Sequence, residues 1–182
     1  MEVLALTPAI AAAREQWHYR GQTRPAFAEE PRPGQVSVWD FPRPPRLEPA
    51  PAPLAVYAGD TLIARTARGQ RVLETAGAPT YYFPPEDVER AGLRDLERPS
   101  LCEWKGLARN FAWGDLEPAA WCYERTFEEF AAIAGWFAFY PVRLRCFVGE
   151  EEVAPQPGGY YGGWVTADLA GPIKGGPGSG AW

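Results

Sequence analysis

Twenty prolines and nineteen glycines are spread through the 182 residues, and they limit what this chain can build. Proline fixes φ and has no N–H, and glycine loses the most backbone freedom on ordering, so long helices are excluded and turns must be frequent. One helix signal survives near the start. Thr7 supplies a hydroxyl N-cap and Pro8 fits the first helical position, which predicts a helix from Pro8 to about Trp17, stopped by Gly21 and Pro25. An irregular arm rich in Arg and Pro follows. The segment 41–53 carries prolines at 42, 44, 45, 49, 51 and 53 and is expected to be extended, polyproline-like and laid on a surface.

Elsewhere the apolar pattern is that of short strands. Val36–Trp39 alternates and reads as a short edge strand. Leu54–Ala58 and Thr61–Thr66 flank Gly59-Asp60, a two-residue hairpin turn. Arg71–Thr75 pairs with Thr80–Phe83 across Ala76-Gly77-Ala78-Pro79, and Glu86–Ala91 suits a short helix. Trp104–Phe111 and Ala120–Glu124 are further strands, Phe127–Ala131 suits one helical turn, and Gly135–Tyr140 pairs with Val142–Val148 across Pro141. Short strands at this spacing, without βαβ periods, indicate an all-β, mainly antiparallel domain. The expected organisation is an N-terminal helix and arm (residues 1–34), a β domain (35–150) and a Gly/Pro-rich tail (151–182). Tyr160, Tyr161, Trp164 and Trp182 give that tail rings with which to dock on the domain or on a partner.

Charge and cysteine usage narrow the class. A net charge of −5 does not favour nucleic-acid binding, which rests on neutralising phosphates. No apolar run reaches the roughly 18 residues that a membrane span needs. The start resembles a signal peptide only superficially, because Glu2 stands where a positive charge is expected and Pro8 interrupts the run. Cys102, Cys122 and Cys146 are odd in number and form no Cys-x-x-Cys pair, which suits reduced thiols in a bacterial-type cytoplasm. His18 is the lone histidine, so neither a histidine metal site nor a Ser-His-acid triad is expected, and no metal or cofactor is called for.

Several blocks, taken together and in order, resemble the domain-of-unknown-function 427 family. They are Ser37-Val38-Trp39-Asp40-Phe41-Pro42-Arg43-Pro44-Pro45, Leu73-Glu74-Thr75, Tyr81-Tyr82-Phe83-Pro84, Cys102-Glu103-Trp104-Lys105-Gly106, Ala120-Trp121-Cys122-Tyr123-Glu124 and Ile133-Ala134-Gly135-Trp136-Phe137-Ala138-Phe139-Tyr140. The resemblance implies a β-tent, two small antiparallel sheets leaning together, an architecture shared with methionine sulfoxide reductase B and the cereblon ligand-binding domain. Glu103 stands where the family often has proline, and the zinc-binding Cys-x-x-Cys pairs of several β-tent proteins are missing, so neither their metal nor their catalysis is carried over. The family is sometimes labelled nucleotidyltransferase-like. That chemistry needs a Gly-Ser loop beside carboxylates holding Mg²⁺, whereas Gly178-Ser179 lies in the tail and the chain has no Asp-x-Asp.

Two charged residues are the candidate catalytic pair. Lys105 lies between Trp104 and Gly106, where desolvation by rings would disfavour its charged form and make it a base or nucleophile; the alternative is a strand lysine with its tip in water. Glu74 lies opposite Leu73 in strand alternation and would meet Lys105 if the sheets lean together. Such a pair would be an acid/base unit, and the alternatives are a structural ion pair or a solvated glutamate. Trp104, Trp121 and Tyr123 are candidate walls for a small ligand, or else core aromatics. Tyr82 should face away from Tyr81 and Phe83 with its hydroxyl available, and Cys102 is either an activated thiol or a small buried hydrophobe. The expected function is a small-ligand site in the cleft between sheets, with catalysis by Glu74 and Lys105 as its strongest form. The alternative is a non-enzymatic interaction module that self-associates through arm and tail.

Overall fold

The computed structural model describes residues 3–182. The all-β, mainly antiparallel architecture expected from the sequence is what the chain adopts. The strands divide among three larger sheets and two two-stranded ones. The longest hairpin joins Gly106–Trp113 to Leu116–Thr126 and is flanked by Phe137–Phe139 on one side and by Leu93–Asp95 and Ser100–Cys102 on the other. A four-stranded sheet runs Glu151–Glu152, Arg145–Val148, Leu54–Ala58, Thr61–Thr66. A three-stranded sheet runs Arg46–Pro49, Gln70–Leu73, Thr80–Tyr82.

Gly-Asp dipeptides close two of the hairpins. Gly59 adopts φ 58° at the expected turn, and Gly114 adopts φ 54° at the turn between Trp113 and Leu116. Both use the left-handed conformation that a two-residue hairpin demands.

Three segments differ from the sequence reading. Gly135–Tyr140 and Val142–Val148 do not pair with each other: Phe137–Phe139 joins Leu116–Thr126, and Arg145–Val148 joins Leu54–Ala58. The turn after Tyr140, whose carbonyl accepts from the amides of Arg143 and Leu144, carries the chain from one sheet to another, so both strands bury side chains in the same core. Only Val36–Ser37 of the expected first strand is a strand, and it runs parallel to Leu169–Ala170 of the tail. Ser37 Oγ accepts from the Trp39 amide at 3.3 Å and turns Val38–Asp40 into a 3₁₀ helix. Within the proline-rich segment, Arg46–Pro49 is a true edge strand, the position where a missing N–H is tolerated.

Strand alternation sorts the aromatics into separate cores. Tyr81, Phe83, Phe139 and Trp164 fill the main core with Leu54, Val56 and Ile63, while Tyr82, Trp104, Trp121 and Tyr123 form a second cluster on the opposite faces. A third cluster packs Trp39, Phe41 and Leu73 with Trp182 and Tyr19. Burial pushes the Cys122 thiol up to about 12 and the Cys146 thiol higher still, so both behave as small hydrophobes. Among the described residues no helix is long and apolar enough to cross a membrane, and no group of three or more His, Cys, Asp or Glu gathers to hold a metal.

Candidate functional site

The second cluster does not close on itself. A cavity of about 730 Å³ opens where the three-stranded sheet meets the long-hairpin sheet. Glu74, Tyr82, Cys102, Trp104, Lys105, Trp121 and Tyr123 all line it.

Lys105 reaches the cavity from a turn rather than from a strand. Ser100–Cys102 and Gly106–Trp113 form a hairpin, with Cys102 opposite Gly106, and Glu103-Trp104-Lys105 make its turn. Gly106 holds φ 131°, and a Cβ there would stand 2.2 Å from the Arg125 carbonyl oxygen, so only glycine lets the two chains approach. The N-terminal helix Pro8–Glu15 clamps this turn. Arg14 Nε donates to the Glu103 carbonyl at 2.7 Å and its guanidinium lies 5.0 Å from the Trp104 ring centre. Trp17 Nε1 donates to Glu103 Oε1 at 2.7 Å.

Glu74 sits just past the end of Gln70–Leu73 and bridges two cations. Its Oε1 accepts from Arg43 Nε and Nη2 at 3.3 and 3.2 Å, and its Oε2 lies 3.7 Å from Lys105 Nζ. Burial works against the charge of Lys105, but the acidic groups around it, Cys102, Glu74 and Glu103 among them, outweigh burial and hold the amine above the ordinary lysine range. Of the two readings of Lys105, the upward shift favours an ammonium over a discharged amine. Its Nζ hydrogen-bonds to no acceptor among the described residues, although it carries three donors.

The rings are packed yet polar at their tips. Tyr82 is wholly buried, and burial pushes its phenol far up, so the hydroxyl keeps its proton. Among the described residues that hydroxyl, like Trp104 Nε1, makes no hydrogen bond of full geometry, although the Trp121 indole interacts weakly with it. Tyr82 meets Trp121 edge-on at 6.5 Å between centres and Tyr123 at 6.4 Å, and Trp121 meets Tyr140 at 4.5 Å. Burial raises the Tyr123 phenol as well. Cys102 is half-buried and free.

Arm and tail finish the walls. Trp17 and Arg43 come from the N-terminal part of the chain, and Gln156, Tyr160, Tyr161 and Lys174 from the tail. Gly162 lies flat on the Trp121 indole, where a Cβ would stand 2.2 Å from the ring. Sequence reasoning passed over Arg43, Trp17 and Lys174. Arg43 stands within one of the family-like blocks, and Lys174, one of only two lysines, lies in the Gly/Pro-rich tail.

Lys174 holds its proton less firmly than Lys105. Burial, then the neighbouring Arg43 guanidinium, pull its amine down to about 8, with Glu74 and Glu103 opposing. Between this value and the ordinary 10.5, the unfolded chain holds more protons than the folded one. The contribution of Lys174 to stability therefore rises with pH across that window and is constant below it. Wild type should accordingly gain on Lys174→Met from pH about 8 upward, by up to about 1.4 kcal/mol per pH unit. Urea midpoints across a pH series measure this, and a pH-independent gap would contradict it.

The family model described as a domain of unknown function (DUF427) matches residues 46–150. The chain belongs to this family. No curated protein matches the chain. The DUF427 region supplies Glu74, Tyr82, Cys102, Trp104, Lys105, Trp121 and Tyr123, whereas Trp17, Arg43, Gln156, Tyr161 and Lys174 lie outside it. The cavity of this DUF427 protein is therefore built jointly by the family domain and by the segments that flank it.

Proposed function

We propose that this protein binds a small, ring-bearing anion in the cavity and can act on it through Glu74 and Lys105. The observation that carries the reading is the Lys105 ammonium, 3.7 Å from Glu74 and with unused donors, in a cavity that also holds the Tyr82 hydroxyl. A buried cation with spare donors is costly unless something accepts from it. A ligand carboxylate or enolate oxygen meets that need, and Trp121, Tyr123 and Tyr140 offer flat faces to its ring. Charge that develops on a ligand oxygen would be stabilised by Lys105 and Tyr82, while Glu74 moves a proton.

Self-association through arm and tail has less in its favour. Trp17 lines the cavity, Trp164 is wholly buried, and Trp182 stacks on Phe27 at 5.1 Å between centres. The rings that would have met a partner are largely engaged within the chain.

Thermal-shift titration with benzoate and related aromatic carboxylates tests the binding. At a hundredfold excess over Kd the melting temperature should rise by roughly 5–10 °C. Lys105→Ala should abolish the rise, and Glu74→Gln should alter it. Shifts unchanged in both variants would remove the assignment.

A further inference from the structure

The chain has only two lysines, and both line one cavity. Lys105 is paired with the Glu74 carboxylate, whereas Lys174 Nζ donates to a Trp182 oxygen at 3.2 Å. The tail positions Lys174 from both sides of its backbone. Its amide donates to the Ala76 carbonyl at 2.8 Å, and its carbonyl accepts from Gln156 Nε2 at 2.9 Å. Gln156 is itself fixed, because its Oε1 accepts from the Ala78 amide at 3.1 Å. The next residue, Gly175, donates to Ser179 Oγ at 2.8 Å. These contacts hold the side chain against the cavity wall, where the residue is 4% exposed.

The surroundings of the amine are of two kinds. Nζ lies 3.6 Å from the Trp17 ring centre and 5.4 Å from that of Tyr161. The Arg43 guanidinium stacks on the same Trp17 indole at 4.3 Å, so two cationic heads share one ring. The charged and titratable groups acting on Lys174 are Arg43, Glu74, Glu103 and Tyr161. Glu74 is committed to Arg43 and Lys105, and Glu103 accepts from Trp17. The acceptor of Lys174 Nζ is the main-chain oxygen of Trp182 at 3.2 Å. A desolvated amine beside another cation is the arrangement that leaves a lysine free to attack.

We propose that Lys174 is the nucleophile of this cavity and forms an imine with a small carbonyl compound bearing an anionic group, the anion being held by Lys105. The Nζ lone pair attacks the carbonyl carbon, a C–N bond forms, and the π pair moves to oxygen. The nitrogen gives up a proton to solvent and the oxygen takes one. The carbinolamine then loses that oxygen, protonated once more, as water, the nitrogen lone pair closes the C=N bond, and the iminium so formed returns the second proton to solvent to give the imine. No oxidant or reductant is consumed. The inference rests on the cavity being a ligand site, and it adds the reactive group and the substrate class. It also explains why the flanking segments matter, since Lys174 lies outside the DUF427 match.

The test treats the full chain with 4-formylbenzoate and sodium cyanoborohydride near neutral pH, then maps the reduced adduct by peptide mass spectrometry. The Lys174 peptide should carry it at a rate at least about tenfold above the Lys105 peptide, because only an uncharged amine attacks. The rate should climb up to a pH of about 8 and then level off. Lys105→Ala should slow trapping, and benzaldehyde, which lacks the anion, should trap more slowly than 4-formylbenzoate. An adduct confined to the N-terminal amine, or equal on both lysines, overturns the proposal, as does a Lys174 rate that rises only in the ordinary lysine range. A benzoate thermal shift that persists without a Lys174 adduct overturns the imine and leaves the binding cavity standing. Loss of both would remove the cavity reading as well.

Discussion

Replacing Trp164 with alanine should lower the unfolding free energy by about 3–5 kcal/mol, the largest single effect expected in the tail. Trp164 is wholly buried in the main core, 5.0 Å from Tyr81 and 6.0 Å from Phe83 between ring centres. Its Nε1 donates to the Phe139 carbonyl at 3.0 Å, and its amide donates to the Pro79 carbonyl at 2.8 Å. Alanine would leave a large void and a buried carbonyl without its donor, two costs that add. Trp164→Phe keeps most of the volume and should cost about 1–3 kcal/mol, the share due to the lost hydrogen bond and the smaller ring. Tyr160→Ala, at a position 79% exposed, should stay within about 0.5 kcal/mol of wild type. Urea unfolding with unchanged m-values measures all three. A Trp164→Ala effect below about 1 kcal/mol would mean that the tail is an appendage and not part of the core.

Arg43→Met should cost about 3–5 kcal/mol. The Arg43 side chain is almost wholly buried and joins three segments. It donates to Glu74 Oε1, to the Tyr19 carbonyl at 2.9 Å and to the Thr75 carbonyl at 2.9 Å, and it stacks on Trp17. Burial pulls its pKa down and Glu74 and Glu103 push it back, but a guanidinium remains charged at any ordinary pH. Methionine fills similar space but strands Glu74 beside Lys105 and leaves two carbonyls without donors. The double variant Arg43→Met with Glu74→Gln should therefore recover at least about 1 kcal/mol relative to additivity. Equilibrium unfolding of the four proteins in that cycle measures the coupling. Strict additivity would mean that the pair is incidental and that the arm docks through Trp17 and Tyr19 alone.

Period-two alternation made the ring set legible before any coordinates. Tyr81 and Phe83 had to face away from Tyr82, and Trp121 and Tyr123 away from Cys122, whatever the sheets did next. The structure brings Tyr82, Trp121 and Tyr123 to one cavity because those alternations converge on one side of the long hairpin, while Glu74, Cys102, Trp104 and Lys105 join them from strand ends and a turn. What stayed hidden arises from pairing between distant strands. Nothing local says that Phe137–Phe139 and Arg145–Val148 part company at Pro141, since either pairing satisfies their own patterns. Lys105 read as a strand residue because its neighbours are β-prone, yet its position in a turn depends on Gly106 meeting the Arg125 carbonyl from another strand.

The charge states of the two lysines show the same division. Residue types alone left Lys105 either an amine discharged beside rings or a strand lysine with its tip in water. The folded chain surrounds it with Glu74, Glu103, Cys102 and Tyr82 and keeps it charged, while Lys174, in a tail that read as docking material, meets Arg43 and an indole instead. By itself the sequence determined the β class, the turn at Gly59-Asp60, the capped first helix and the faces on which the aromatics lie, because each follows from backbone sterics or from spacing within one element. Only the tertiary structure decided which strands are neighbours, that arm and tail wall the cavity, and which amine holds its proton less firmly. Electrostatic environment is a sum over groups far apart in the chain, and no local pattern contains that sum.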